Sequence, residues 1–217
     1  MKFSNHIYTD NRRVFMNKRN HNLASHQFEV VAIGDSITEG LNLNRFQYVD
    51  YTWLNSGISG DISTLLTDRV SVDCLDFKPQ VVSLMIGIND IRNYFNKMDY
   101  IHKLSSEDEL RKVLISSTLE IVSKLIAANV EVIYTQILPV NEVEKNNGYI
   151  NQFIDEINLE LYNELKDDVT IIKANSFKNE VNNLDLNFTY DGLHLNELGY
   201  QVWCELLNKE VRRKLGK

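Results

Sequence analysis

From residue 28 onward the chain alternates two patterns. Short, nearly continuous apolar runs occur at residues 28–33 (FEVVAI), 51–54, 81–86 (VVSLMI), 130–138 (VEVIYTQIL) and 169–173 (VTIIK). Runs of this kind suit strands buried on both faces of a parallel sheet. The second run is the least regular of the five. Between the runs the apolar positions recur at helical spacing. Ser106 and Glu109 form an S-x-x-E capping pattern, and Leu110, Val113, Leu114, Ile121 and Leu125 follow on one face, with Asn129 as the stop. Residues 149–165 read as a second amphipathic helix. The last, 196–215, carries Leu198, Val202 and Leu206 on one stripe and Trp203, Leu207 and Val211 on the next. Strand and helix alternating in this way predict a three-layer α/β/α sandwich around a parallel sheet of about five strands. In such sheets the site lies beyond the carboxyl ends of the strands.

The expected division is a single domain over residues 28–217, preceded by an extension, residues 1–27, with a short helix over 12–19. No internal repeat, low-complexity tract or linker interrupts it.

Composition narrows the function classes. The net charge is −7, which argues against nucleic acid and anionic membrane surfaces as partners, since both reward basic patches. No apolar run approaches the ~18 residues of a membrane span. The polar amino terminus has no signal-peptide core. Two cysteines, Cys74 and Cys204, sit in apolar surroundings and read as buried reduced thiols. Together these features predict a cytoplasmic protein.

Candidate chemistry falls in four polar clusters. Gly34-Asp35-Ser36-Ile37-Thr38 follows the first run, and a serine at such a turn can present its hydroxyl at the sheet edge. Residues 55–61 (NSGISGD) follow the second, where Gly60 can expose a backbone N–H to an anion. Gly87-Ile88-Asn89-Asp90 follows the third, and the Asn89 amide can donate two hydrogen bonds. Asp191-Gly192-Leu193-His194 precedes the last helix. There Asp191 can accept from the imidazole of His194 and fix its tautomer. The other histidines, His6, His21, His26 and His102, lie in polar segments and read as solvated. Each cluster alone also reads as an ordinary turn or helix start. Jointly they supply a hydroxyl, a base, an orienting acid and several oxyanion donors at the sheet end where a site is expected.

At these four blocks the chain resembles the SGNH, or GDSL, hydrolase family. GDSIT is similar to the family's nucleophile block, with Ile where the name has Leu. NSGISGD, GIND and DGLH are similar to its second, third and last blocks. The resemblance runs from about residue 28 to the carboxyl terminus and implies a flavodoxin-like sandwich, the SGNH hydrolase fold. It assigns Ser36 as nucleophile, His194 as base and Asp191 as acid, with Ser36, Gly60 and Asn89 forming the oxyanion hole. It implies a serine esterase with no cofactor and no metal, acting on a small, short-chain acyl ester. An acylated carbohydrate is the expected substrate class, and the wording of the blocks is similar to that of small acetylhydrolases and lysophospholipase-like esterases.

Other classes stay open at this stage. An acyltransferase would use the same triad, as would a lysophospholipase- or thioesterase-like lipolytic enzyme. A bimetal phosphoesterase built on Asp35, Asn89, Asp90 and His194 lacks a further ligand cluster. A non-catalytic binding module would be expected to have lost Ser36 or His194. The sequence is compatible with a homo-oligomer.

Overall fold

The computed structural model describes residues 5–23, 25–96, 104–143 and 146–217, with side chains from Arg13 onward. Five strands form one parallel sheet: β1 (Val30–Gly34), β2 (Trp53–Gly57), β3 (Val81–Met85), β4 (Glu131–Thr135) and β5 (Thr170–Ile172). Their order is β2-β1-β3-β4-β5, the doubly wound, flavodoxin-like arrangement. The helices are α1 (Asn5–Leu23), α2 (Ser36–Glu39), α3 (Leu43–Phe46), α4 (Ser63–Asp73), α5 (Ile88–Phe95), α6 (Glu107–Ala127), α7 (Asn147–Leu165) and α8 (Glu197–Leu215).

The sheet order explains the layers. The chain moves one way from β1 to β2 and the other way from β2 through β5. Right-handed crossovers therefore put α4, α6 and α7 on one face and leave the other to α3 and α8. Contacts agree: α4 packs on α6, α6 on β4 and α7, while α8 covers β3, β4 and β5 and touches α3. Strands β1 and β3, with helices on both sides, are buried at every position, which is why their sequences are apolar without alternation. On α8 the Trp203, Leu207 and Val211 stripe is fully buried, whereas Leu198 is exposed. Cys74 and Cys204 are buried free thiols.

Register sets the height of the site. Gly34 pairs with Gly57 on one side and Met85 on the other, so β1, β2 and β3 end level. Their following loops emerge side by side. At Gly34 the strands and α2 approach so closely that a Cβ would lie 2.1 Å from the Met85 carbonyl oxygen and 2.3 Å from Thr38 Oγ1.

Three expectations need correction. The second strand lies at Trp53–Gly57 rather than 51–54, so Asn55, Ser56 and Gly57 belong to the sheet. A strand whose apolar residues give way to Asn-Ser-Gly looks like a turn in sequence, yet its polar side chains find buried partners. The Asn55 amide donates to the carbonyls of Thr38 and Leu41, and the Ser56 hydroxyl to that of Asp73. The fourth strand stops at Thr135 although the apolar run reaches 138. Residues 136–140 stay buried; the Gln136 N–H still donates to the Ile172 carbonyl of β5, and from Ile137 on the backbone bonds to side chains of α7. Asn158 exchanges two hydrogen bonds with Ile137 (2.9 and 2.8 Å), and Asn151 two with Val140 (2.8 Å each). The two amides do what a neighbouring strand would do for a buried backbone. Finally, the amino-terminal helix runs over Asn5–Leu23, well beyond 12–19, and packs on α4 with Met16 buried.

Ser106 caps α6 by accepting from the Glu109 N–H, as expected. The Glu109 carboxylate, however, accepts from the N–H and hydroxyl of Ser105, so the reciprocal half of the box lies one residue earlier. Asn129 is left-handed at φ 59° just past the helix, where that conformation ends a helix.

Candidate active site

The loops after β1, β2 and β3 and the turn before α8 meet at the carboxyl end of the sheet, beside the β1/β3 crevice where the strand order reverses. Ser36 opens α2, directly behind the Asp35 cap. Its Oγ lies 2.9 Å from His194 Nε2, and His194 Nδ1 lies 2.7 Å from Asp191 Oδ2. Because Asp191 is the acceptor on the Nδ1 side, the imidazole carries its proton there and leaves Nε2 to accept from the serine.

The 189–194 turn is held internally. Asp191 Oδ1 accepts from the N–H groups of Leu193 (3.0 Å) and His194 (2.7 Å). Thr189 Oγ1 donates to the His194 carbonyl (2.7 Å) and accepts from the Gly192 N–H (2.9 Å). Gly192 has φ +84°, and a Cβ there would sit 2.1 Å from the Asn141 carbonyl oxygen, so the turn requires glycine. Partial burial pushes the Asp191 carboxyl upward, but the bonds from the His194 ring and from the two N–H groups outweigh it and hold the group below its usual range. It stays ionised where a histidine titrates.

The other two candidates lie in the segments that follow β2 and β3, the strands flanking β1. Asn89 is in the first turn of α5, is 8% exposed, and donates from Nδ2 to the Asp61 carbonyl at 3.0 Å. Gly60, next to Asp61, is left-handed at φ +79°. The sequence-predicted Gly60 loop and Asn89 are thus joined by a hydrogen bond.

Beneath this loop lies an ionic network that the sequence did not reveal. Asp61 is fully buried. Its Oδ2 accepts from Arg69 Nε (2.7 Å) and its Oδ1 from an Arg13 amino group (3.2 Å). The same Arg69 guanidinium reaches Asp73 Oδ2 (3.0 Å) and the carbonyls of Ser56 (2.8 Å) and Gly34 (2.9 Å). One buried cation therefore ties the ends of β1 and β2 to the Gly60 loop. Arg19 adds contacts to the Asn55 carbonyl and the Ser56 hydroxyl. Removing one partner of such a buried pair typically costs about 3–5 kcal/mol. Sequence spacing hid it because Asp61 sits in a loop and Arg69 and Asp73 on the following helix, and nothing in their spacing shows that they are buried together.

Two side chains of α5 beyond Asn89 are engaged with other residues. Arg92 is clamped by both carboxylate oxygens of Glu142 (2.9 and 2.7 Å). Phe95 packs edge-on against Tyr94, Tyr149 and Phe153. Among the described residues no group of three or more His, Cys, Asp or Glu side chains is placed to hold a metal ion.

Asp35 and Asp90 are the other buried acids. Asp90 accepts from the Ser63 N–H and hydroxyl (3.0 and 2.6 Å), and burial raises its pKa to about 6. Asp35 Oδ1 accepts from the Ile37 N–H (2.9 Å), while Oδ2 has no partner among the described residues. Burial, reinforced by Asp61 and Asp90, lifts Asp35 to about 7 against the pull of the Ile37 N–H. The folded protein then keeps a proton that the unfolded chain releases above about pH 4. Stability should fall as pH rises from there to about 7 and stay lower above. Asp35→Asn keeps the capping oxygen and cannot ionise. Its Tm relative to wild type is expected to rise between pH 5 and pH 8, on the order of 5 °C. Thermal unfolding at the two pH values measures this, and the same offset at both would place the titration on another group.

The model of the GDSL-like Lipase/Acylhydrolase family matches residues 32–202. No curated protein matches the chain. Solved structures do. A GDSL-like lipase from Bacteroides thetaiotaomicron is 20% identical with a TM-score of 0.72, over 91% of this chain and 97% of that one. The acetyl xylan esterase AlAXEase is 21% identical with a TM-score of 0.65, over 84% and 99%. A catalytic mutant of Axe2, an acetylxylan esterase from Geobacillus stearothermophilus, is 18% identical with a TM-score of 0.62, over 86% and 94%. At these identities the likeness establishes the fold.

Proposed function

The chain belongs to the GDSL-like lipase/acylhydrolase family, and from that premise we propose that it is a serine esterase cleaving a small, short-chain acyl ester through an acyl-enzyme on Ser36. The observation that carries this reading is the unbroken relay from Ser36 Oγ to His194 Nε2 and from His194 Nδ1 to Asp191.

In the proposed mechanism His194 takes the Ser36 proton as Oγ attacks the ester carbonyl carbon. The charge that develops on the carbonyl oxygen is met by the N–H groups of Ser36 and Gly60 and by the Asn89 amide. Asp191, ionised throughout, stabilises the imidazolium. His194 then gives its proton to the leaving alcohol, and the ester C–O bond breaks. Water, deprotonated by the same histidine, attacks the acyl-serine and releases the acid.

A short acyl group is favoured by what lies under the serine. Ile37, Met85, Ile88 and Ile137 are each at most 3% exposed. Among the described residues, the strand ends beneath the serine are filled by these apolar side chains. The acetyl xylan esterases among the structural neighbours support acetyl on a carbohydrate.

The test is a series of p-nitrophenyl acetate, butyrate and octanoate. kcat/KM is expected to fall from acetate to octanoate. Each methylene that fits a pocket gains about 1 kcal/mol or more, so a steady rise toward octanoate would overturn the short-chain assignment in favour of a lipolytic one.

A further inference from the structure

The direction of the reaction places the alcohol. The acyl carbon must lie between Ser36 and the donors after β2 and β3. The leaving oxygen must lie by His194 Nε2, the atom that protonates it. The alcohol therefore extends on the α8 side. There a cleft of about 440 Å³ opens between α3 and the start of α8, with Asn42, Arg45, Phe46, Tyr190, Glu197 and Tyr200 on its walls.

Three features of its walls define a ligand. Tyr190 lies nearly parallel to the His194 imidazole, at 11° with centroids 5.9 Å apart, and is 71% exposed. It rides on the hydrogen-bonded 189–194 turn, which sets the ring beside His194 with a flat apolar face in water. Arg45 and Glu197 form an exposed pair at 2.8 Å. They offer donors and acceptors with no net charge. Asn42 precedes α3 but makes no side-chain cap bond, leaving its exposed amide available. The far wall is fixed, because the Tyr200 hydroxyl donates to the Ile37 carbonyl at 2.9 Å.

A flat aromatic face flanked by uncharged-in-sum donors and acceptors suits a ring that carries C–H bonds on its faces and hydroxyls at its edge. A phosphate or carboxylate would call for an unpaired cation. We propose that this cleft is the alcohol subsite and takes a pyranose unit of an acylated saccharide, with a sugar face on Tyr190 and its hydroxyls toward Asn42, Arg45 and Glu197. The inference rests on the acyl-esterase reading above and adds to it the residues that select the alcohol.

The experiment compares acetylated xylobiose with p-nitrophenyl acetate in wild type, Tyr190→Ala, Tyr190→Phe and Asn42→Ala. In Tyr190→Ala and Asn42→Ala the ratio of kcat/KM for the saccharide to that for the aryl ester is expected to fall about tenfold, the scale of one good stacking or hydrogen-bonding contact, and mainly through KM. Tyr190→Phe should keep the wild-type ratio. Because the nitrophenyl ring can itself lie on Tyr190, the deciding comparison includes Asn42→Ala, and equal losses on both substrates in both variants would overturn the subsite. A wild-type enzyme that cleaves the aryl ester but not the saccharide overturns the subsite while the esterase reading stands. One that cleaves neither overturns both.

Discussion

Ser36→Ala is expected to abolish ester hydrolysis, with kcat falling on the order of 10⁴–10⁶-fold, while Tm stays within about 2 °C. The asymmetry follows from what the hydroxyl does. Its hydrogen bond runs to His194 Nε2, and the cap that starts α2 is made by Asp35, not by the serine. Removing Oγ takes away the nucleophile and leaves the helix start intact. A fluorophosphonate probe should attach to the wild-type protein at Ser36 and fail to attach to the variant. Mass spectrometry of the labelled peptide reads this directly. Residual activity near wild type, or labelling at another residue, would remove Ser36 from the mechanism.

Asn89→Ala is expected to lower kcat by about 10²–10³-fold with KM within a few-fold, since an oxyanion donor acts mainly in the transition state. Asn89 also holds the Asp61 carbonyl, so a purely structural role must be separated. That role would appear as a lowered Tm with kcat little changed. The expected pattern is the reverse. Steady-state kinetics with p-nitrophenyl acetate beside thermal unfolding distinguishes them, and a KM-dominated defect would reassign the amide to substrate binding.

The fold was legible because β1 and β3 are buried on both faces and, Ser83 apart, are written in apolar residues and glycine. β2 was shifted because it carries Asn55 and Ser56, whose polarity is answered by partners distant in sequence. The run ending at 138 overshot β4 because burial and strand geometry are separate properties. Residues 137 and 138 need the first and not the second, as the amide of Asn158 replaces a neighbouring strand. The relay of Ser36, His194 and Asp191 was legible from local motifs, each tied to a turn. Arg69 was not, since its four contacts reach β1, β2, the Gly60 loop and its own helix, and no short window of sequence contains them. Tyr190 was hidden for the opposite reason. An exposed tyrosine beside a motif has no sequence signature until the imidazole is seen lying parallel to it.

The amino-terminal helix bears on how this protein can be divided. Family comparison recognises residues 32–202, yet Asp61 in that segment has one carboxylate oxygen served by Arg69 and the other by Arg13, which lies outside it. The recognisable module and the working unit therefore have different borders. A chimera that grafts residues 28–217 onto a relative's leading helix inherits a buried charge half answered, unless that helix brings its own cation to the same place. Substitutions at position 13 and at position 61 are then bound to each other, although 48 residues and a family boundary separate them.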